Sequence, residues 1–99
     1  YVEDCVDFVY AASRCEQALG QVINAGSGTD ISILDLARMI CPDENKIKLV
    51  EHRHPQSEIP KLLCDYSKAR SMLGWEPKVD LQSGIEKLKK QLQEICVLA

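Results

Sequence analysis

No apolar run in this 99-residue sequence approaches the roughly 20 residues that a membrane-spanning helix needs, so no span is expected. An excess of basic charge is missing as well. Twelve Lys and Arg against 15 Asp and Glu leave a net charge of -3, which argues against general binding to nucleic acid or to an anionic membrane. Only Lys87, Lys89 and Lys90 cluster among the basic residues. There is no Cys-x-x-Cys pair. The five cysteines (Cys5, Cys15, Cys41, Cys64 and Cys96) are odd in number and irregularly spaced, against both a disulfide framework and a zinc site. Reduced thiols in a cytosolic protein are the expectation. No signal peptide stands at the visible start, and no internal repeat or low-complexity segment interrupts the chain. With 45% hydrophobic and 27% charged residues the composition is near globular averages, so the chain should fold around one modest core.

What is present reads as alternating elements. Val2, Val6 and Val9 mark one face of a helix expected to run to about Leu19, where Gly20 stops it. Val22 to Asn24 is a short strand candidate, followed by a loop over 26–30. Asp30 or Ser32 can cap a second helix with Ile33, Leu36, Ala37 and Ile40 on its apolar face. A turn over Pro42 to Asn45 leads to a second strand candidate at Ile47 to Glu51, and Leu62 to Cys64 is a third extended piece. A short helix from about Ser67 to Leu73 is stopped by Gly74, with Trp75 and Pro77 anchoring the exit and Asp65 holding the entry turn. The last helix starts near Asp80 or Leu81, with a stripe of Leu81, Ile85, Leu88, Leu92 and Ile95 that suits packing onto a core.

Candidate chemistry is sparse. Gly26-Ser27-Gly28 lies between a strand candidate and a helix, the setting of a phosphate-binding turn. The third glycine of a dinucleotide fingerprint would fall at Ile31, so that fingerprint is absent, and a tight connecting loop is the plainer reading. Asn24 could donate to a ligand hydroxyl or phosphate, or satisfy backbone groups at the strand end. Arg53 offers a permanently charged fork that matches phosphate oxygens, or is a solvated arginine beside Glu51 and Glu58. Ser57 and Glu58 could hydrogen-bond a polar ligand or cap the following segment. His52 and His54 would share a strand face, but further metal ligands are not evident nearby. Asp4 and Asp65 read as structural, Asp4 by facing the exposed amides of its own helix start.

One stretch carries more than punctuation. Asp65-Tyr66-Ser67-Lys68-Ala69, followed by Leu73-Gly74-Trp75-Glu76-Pro77, closely resembles the D-x-S-K-A-x-x-x-L-G-W-x-P signature of NAD-dependent nucleotide-sugar epimerases and dehydratases, the extended short-chain dehydrogenase/reductase (SDR) family. Four further matches keep that family's order. Tyr1-Val2-Glu3-Asp4 is similar to its Y-V-x-D, Val22 to Gly28 to its V-x-N-x-G-x-G, Ser32 to Ala37 to its S-x-x-E-L-A, and Leu81 to Ile85 to its L-x-x-G-I. Arg53 to Asp65 resembles a variant of the segment whose arginine contacts the diphosphate of the sugar nucleotide, although His54 and Pro55 depart from its commoner R-P-G-D form.

The resemblance implies an α/β fold: the carboxyl-terminal part of an extended SDR. Residues 1–28 would belong to the edge of a Rossmann-type parallel sheet, and 29–99 would form a small mixed α/β substrate-binding lobe. The family's Tyr-x-x-x-Lys pair is absent, since Tyr1, Tyr10 and Tyr66 are followed at that spacing by Cys5, Arg14 and Arg70. The chain is therefore expected to bind substrate for a 4,6-dehydratase or 4-epimerase without catalysing alone. Its substrate contacts would be Arg53, Asn24, Ser57 and Glu58, and its ligand a UDP-, GDP- or dTDP-linked sugar. NAD would serve the full-length enzyme, a cytoplasmic homodimer with an amino-terminal Rossmann domain, and no cofactor is expected on this chain alone. The competing expectation is a free-standing, non-catalytic interaction module of the same descent.

Overall fold

Four helices, joined by extended connectors and short 3-10 turns, make up the fold in the computed structural model, which describes residues 1–57 and 59–98. They are α1 (Val2–Ser13), α2 (Ile33–Ile40), α3 (Ser67–Leu73) and α4 (Leu81–Leu98). Local chemistry explains most boundaries. The Ser32 hydroxyl accepts the Asp35 N–H at 3.1 Å and caps α2. Asp65 accepts the Ser67 N–H at 2.9 Å at the mouth of α3, and Asp80 accepts the Ser83 N–H at 2.7 Å at that of α4. Gly74 ends α3 in the left-handed region at φ 65°, its N–H donating to the Arg70 carbonyl at 3.0 Å.

The expected α/β architecture is not what forms. Among the described residues there is no β-strand, so neither the edge of a parallel sheet nor a mixed α/β lobe is present; the fold is helical. The reason lies in pairing. A strand exists through ladder hydrogen bonds to a neighbour, and residues 22–24, 47–51 and 62–64 have none and carry no regular secondary structure. Stretches 22–28 and 62–66 do lie against each other, yet no backbone hydrogen bond joins them. Helix α1 is also shorter than expected: it ends at Ser13, whose hydroxyl donates to the Tyr10 carbonyl at 2.7 Å, and the chain continues as a 3-10 turn over Glu16–Ala18.

The tightest packing surrounds Trp75. Its indole N–H donates to the Asp4 carbonyl at 3.1 Å, and its ring meets Phe8 and Tyr66 edge-on at centroid distances of 5.3 and 6.0 Å. The Asp4 side chain, 7% exposed, accepts the Lys78 N–H at 3.1 Å and the Val79 N–H at 3.0 Å. One carboxylate near the start thereby fixes the connector into α4. Burial pushes the Asp4 carboxyl upward, but the Val79 and Lys78 amides together with the Lys78 charge outweigh it and hold the group below its ordinary value. Elsewhere, the Lys68 ammonium donates to the Gln21 side chain and the Val22 carbonyl, each at 3.0 Å, tying α3 to the first extended stretch. The Lys89 ammonium reaches the Met39 carbonyl at 2.9 Å and closes the end of α2 against α4.

Beyond that cluster the packing is thin. Ala69 and Trp75 are the buried hydrophobic residues among those described. Val2, Val6 and Val9, the face read from the sequence, are 58–63% exposed, and Val6 and Val9 line an apolar groove of about 370 Å³ with Cys5, Tyr10 and Ser13. The α4 stripe behaves likewise: Ile85 is half-buried, while Leu88, Leu92 and Ile95 are exposed. The total accessible surface is 8424 Å², against about 5,700 Å² for a compact protein of this mass. The radius of gyration is 17.1 Å, against about 13 Å for a compact chain of this length.

Candidate functional site

The largest of the described clefts, about 430 Å³, opens between Gly28 and the run from Leu63 to Arg70. It exists because glycine in one extended stretch faces bulk in the other. A Cβ on Gly26 would lie 2.5 Å from the Cys64 Cβ, and one on Gly28 would lie 2.6 Å from the Tyr66 ring. Gly28 also has φ +73°, which a side chain disfavours independently of space. On the opposite wall, Arg70 lies over Tyr66, its guanidinium carbon 4.9 Å from the ring centroid. An Arg70 N–H donates to the Tyr66 hydroxyl at 2.9 Å, and Arg70 Nε pairs with Glu76 at 3.5 Å. The Asp65 carboxyl is held below its ordinary value by the Ser67 N–H and hydroxyl, assisted by the Arg70 charge and opposed by burial. This wall can hold a polar ligand by hydrogen bonds and charge.

The residues singled out from the sequence lie elsewhere. Asn24, Arg53 and Ser57 line neither this cleft nor the neighbouring ones beside Pro77. All three are exposed, and Arg53 sits in a bend where it pairs with no carboxylate among the described residues. The Ser57 hydroxyl donates to the His54 carbonyl at 2.9 Å and so stabilises its own turn. Glu58 lies outside the described residues.

Neither glycine of the 26–28 loop offers an open face to a dinucleotide. The space beside each Cα is taken by Cys64 and Tyr66, which leaves no close backbone approach for a pyrophosphate there. Among the described residues no group of three His, Cys, Asp or Glu side chains is placed to hold a metal ion, and no helix is long and apolar enough to cross a membrane.

Sequence reasoning overlooked the Tyr66–Arg70 pair, although its i, i+4 spacing puts both side chains on one helical face. Read for catalysis, that same spacing shows only a Tyr-x-x-x-Lys with arginine in the lysine's place. It also assigned Asp4 to its own helix terminus, whereas the carboxylate serves amides 74 and 75 residues away.

No family profile matches the chain. Individual relatives do. A dTDP-L-rhamnose 4-epimerase of Burkholderia thailandensis is 29% identical over 89% of this chain and 24% of its own length. A UDP-glucuronic acid decarboxylase 6 of Arabidopsis thaliana is 32% identical over 94% of this chain and 27% of its own. A GDP-L-fucose synthase of Sinorhizobium fredii is 34% identical over 88% of this chain and 27% of its own. The chain thus spans about a quarter of the length of these curated relatives. Among solved structures, the X-ray structure of Pal from Bacillus thuringiensis is 52% identical with a TM-score of 0.89, over 96% of this chain and 30% of that one. Over nearly all its length the chain is similar to one part of enzymes named for work on nucleotide sugars, and this similarity supports a place with the nucleotide-sugar epimerases and dehydratases.

Proposed function

We propose that this chain is the nucleotide-sugar-binding portion of a longer NAD-dependent 4-epimerase or 4,6-dehydratase and catalyses nothing by itself. The observation that carries the reading is the similarity itself: it runs along almost the whole chain yet covers only about a quarter of each curated relative. The open architecture supports it. A chain that leaves the α1 valines and Leu88 and Leu92 of α4 in water has apolar area for the remainder of a larger protein to cover. Arg53 contacts the diphosphate, with Asn24, Ser57 and Glu58 toward the sugar. NAD binds outside these residues, and the complete enzyme is a cytoplasmic homodimer acting on a UDP-, GDP- or dTDP-linked sugar.

Isothermal titration of the longest natural form of the protein with UDP, dTDP, GDP and their sugar conjugates tests this. One nucleotide should bind well above the others. Arg53→Ala should weaken it by about tenfold or more, the loss expected for a hydrogen bond to a charged group. Arg53→Lys should fall between, having the charge without the fork. A wild-type protein that binds none of these ligands would sink the reading.

A further inference from the structure

We propose that His52 is a positioning residue for Arg53, acting through its Nδ1 atom as the acceptor that closes the turn around that arginine. The inference rests on the proposed nucleotide-sugar reading. Its evidence is the hydrogen bonding of His54. The His54 N–H donates to His52 Nδ1 at 2.9 Å, which closes a ring spanning Arg53. The His54 carbonyl accepts from the Ser57 N–H at 3.0 Å and from the Ser57 hydroxyl at 2.9 Å, which winds Pro55–Ser57 into a 3-10 turn. Pro55 has no N–H and a fixed φ, so His54 supplies the backbone donor by which this turn can be fastened at its start. Both polar backbone groups of the residue after Arg53 are thus committed, and the arginine projects from a turn closed on either side.

The geometry is that of an aspartate or asparagine turn, in which a side-chain acceptor takes the N–H two residues on. Nδ1 of histidine and Oδ1 of asparagine occupy the same place along the side chain, one bond beyond Cγ. A ring nitrogen that accepts an N–H carries no proton, so the structure assigns His52 the tautomer protonated on Nε2. The role is therefore specific. An acceptor at the δ position preserves it; an acceptor one atom further out does not.

The test is a set of variants of the longest natural form, titrated with whichever of UDP, dTDP and GDP binds best. His52→Ala and His52→Gln should each weaken binding about three- to tenfold, the worth of one hydrogen bond. His52→Asn should stay within about twofold of wild type, because its Oδ1 restores the acceptor. Nitrogen-15 shifts of the His52 ring should show an unprotonated Nδ1, and exchange at the His54 amide should quicken in the Ala and Gln variants alone. If His52→Ala binds as wild type does while Arg53→Ala is weakened, the positioning role is overturned and the substrate reading stands. If His52→Asn fails as badly as His52→Ala, the acceptor assignment is overturned. If Arg53→Ala changes nothing, the substrate reading falls and the inference falls with it.

Discussion

Replacing Asp4 with alanine removes the acceptor that joins the start of the chain to the connector before α4. Two backbone donors lose their partner: Lys78 N–H at 3.1 Å and Val79 N–H at 3.0 Å. Hydrogen bonds to a charged group contribute about 1.5 kcal/mol each at the lower end, so the pair is worth about 3 kcal/mol. Some of this returns. Asp4, Pro77 and Val79 border a cleft of about 170 Å³, room enough for water to rehydrate the freed amides. We expect a net loss of about 2 kcal/mol, or a fall of about 8–16 °C in melting temperature for a domain of this size. Asp4→Asn keeps one carbonyl oxygen and should lose about half as much. Trp75, the single tryptophan, reports the change directly, since its indole N–H bonds the Asp4 carbonyl. Its emission should shift to the red in Asp4→Ala, and amide exchange at residues 78 and 79 should quicken by about thirtyfold, the factor corresponding to 2 kcal/mol. Unchanged exchange at these two amides would refute the reasoning, because among the described residues Asp4 is the acceptor to which both donate.

Acid should loosen the same junction. The Asp4 carboxyl lies below its ordinary 3.8 when folded, so its contribution is complete above that value and is lost as pH falls through the lower, folded one. Trp75 emission should therefore be flat above about pH 5 and change below about pH 4, with the change reduced in Asp4→Asn; equal acid profiles for the two proteins would contradict the assignment. The glycines at positive φ should separate by their surroundings. Gly20→Ala, at φ +73° in open space, should cost about 1 kcal/mol of backbone strain. Gly28→Ala has the same φ but drives a methyl to 2.6 Å from the Tyr66 ring, so calorimetry should show a clearly larger loss and a disturbed Arg70 stack.

How much of this was legible follows the range of each interaction. Helix starts at Ser32, Asp65 and Asp80 and the stop at Gly74 depend on atoms within a few residues, and the sequence displays them. The strand candidates at 22–24, 47–51 and 62–64 form no sheet, because residue preference signals a conformation while a strand requires a partner. The apolar stripes of α1 and α4 were legible as faces, but nothing in the periodicity says whether a face is covered; among the described residues most of these side chains are not. The Asp4 carboxylate was visible as a helix-start anion, and its true partners, far along the chain, leave no local trace. Tyr66 and Arg70 stand at i, i+4, so their shared helical face is as plain in the sequence as the lack of a catalytic lysine at that spacing.

The junction between Asp4 and Trp75 also has a consequence in time. Its hydrogen bond closes a loop with a sequence separation of 71 residues, a closure whose entropy costs about 4 kcal/mol in its length-dependent part. At a synthesis rate of about 5–20 residues per second, Asp4 is made roughly 4–14 s before Trp75. For that interval Phe8 lacks the indole on which it rests. The packing of α1 is thus completed only once the chain has been made as far as Trp75, long after the helix itself.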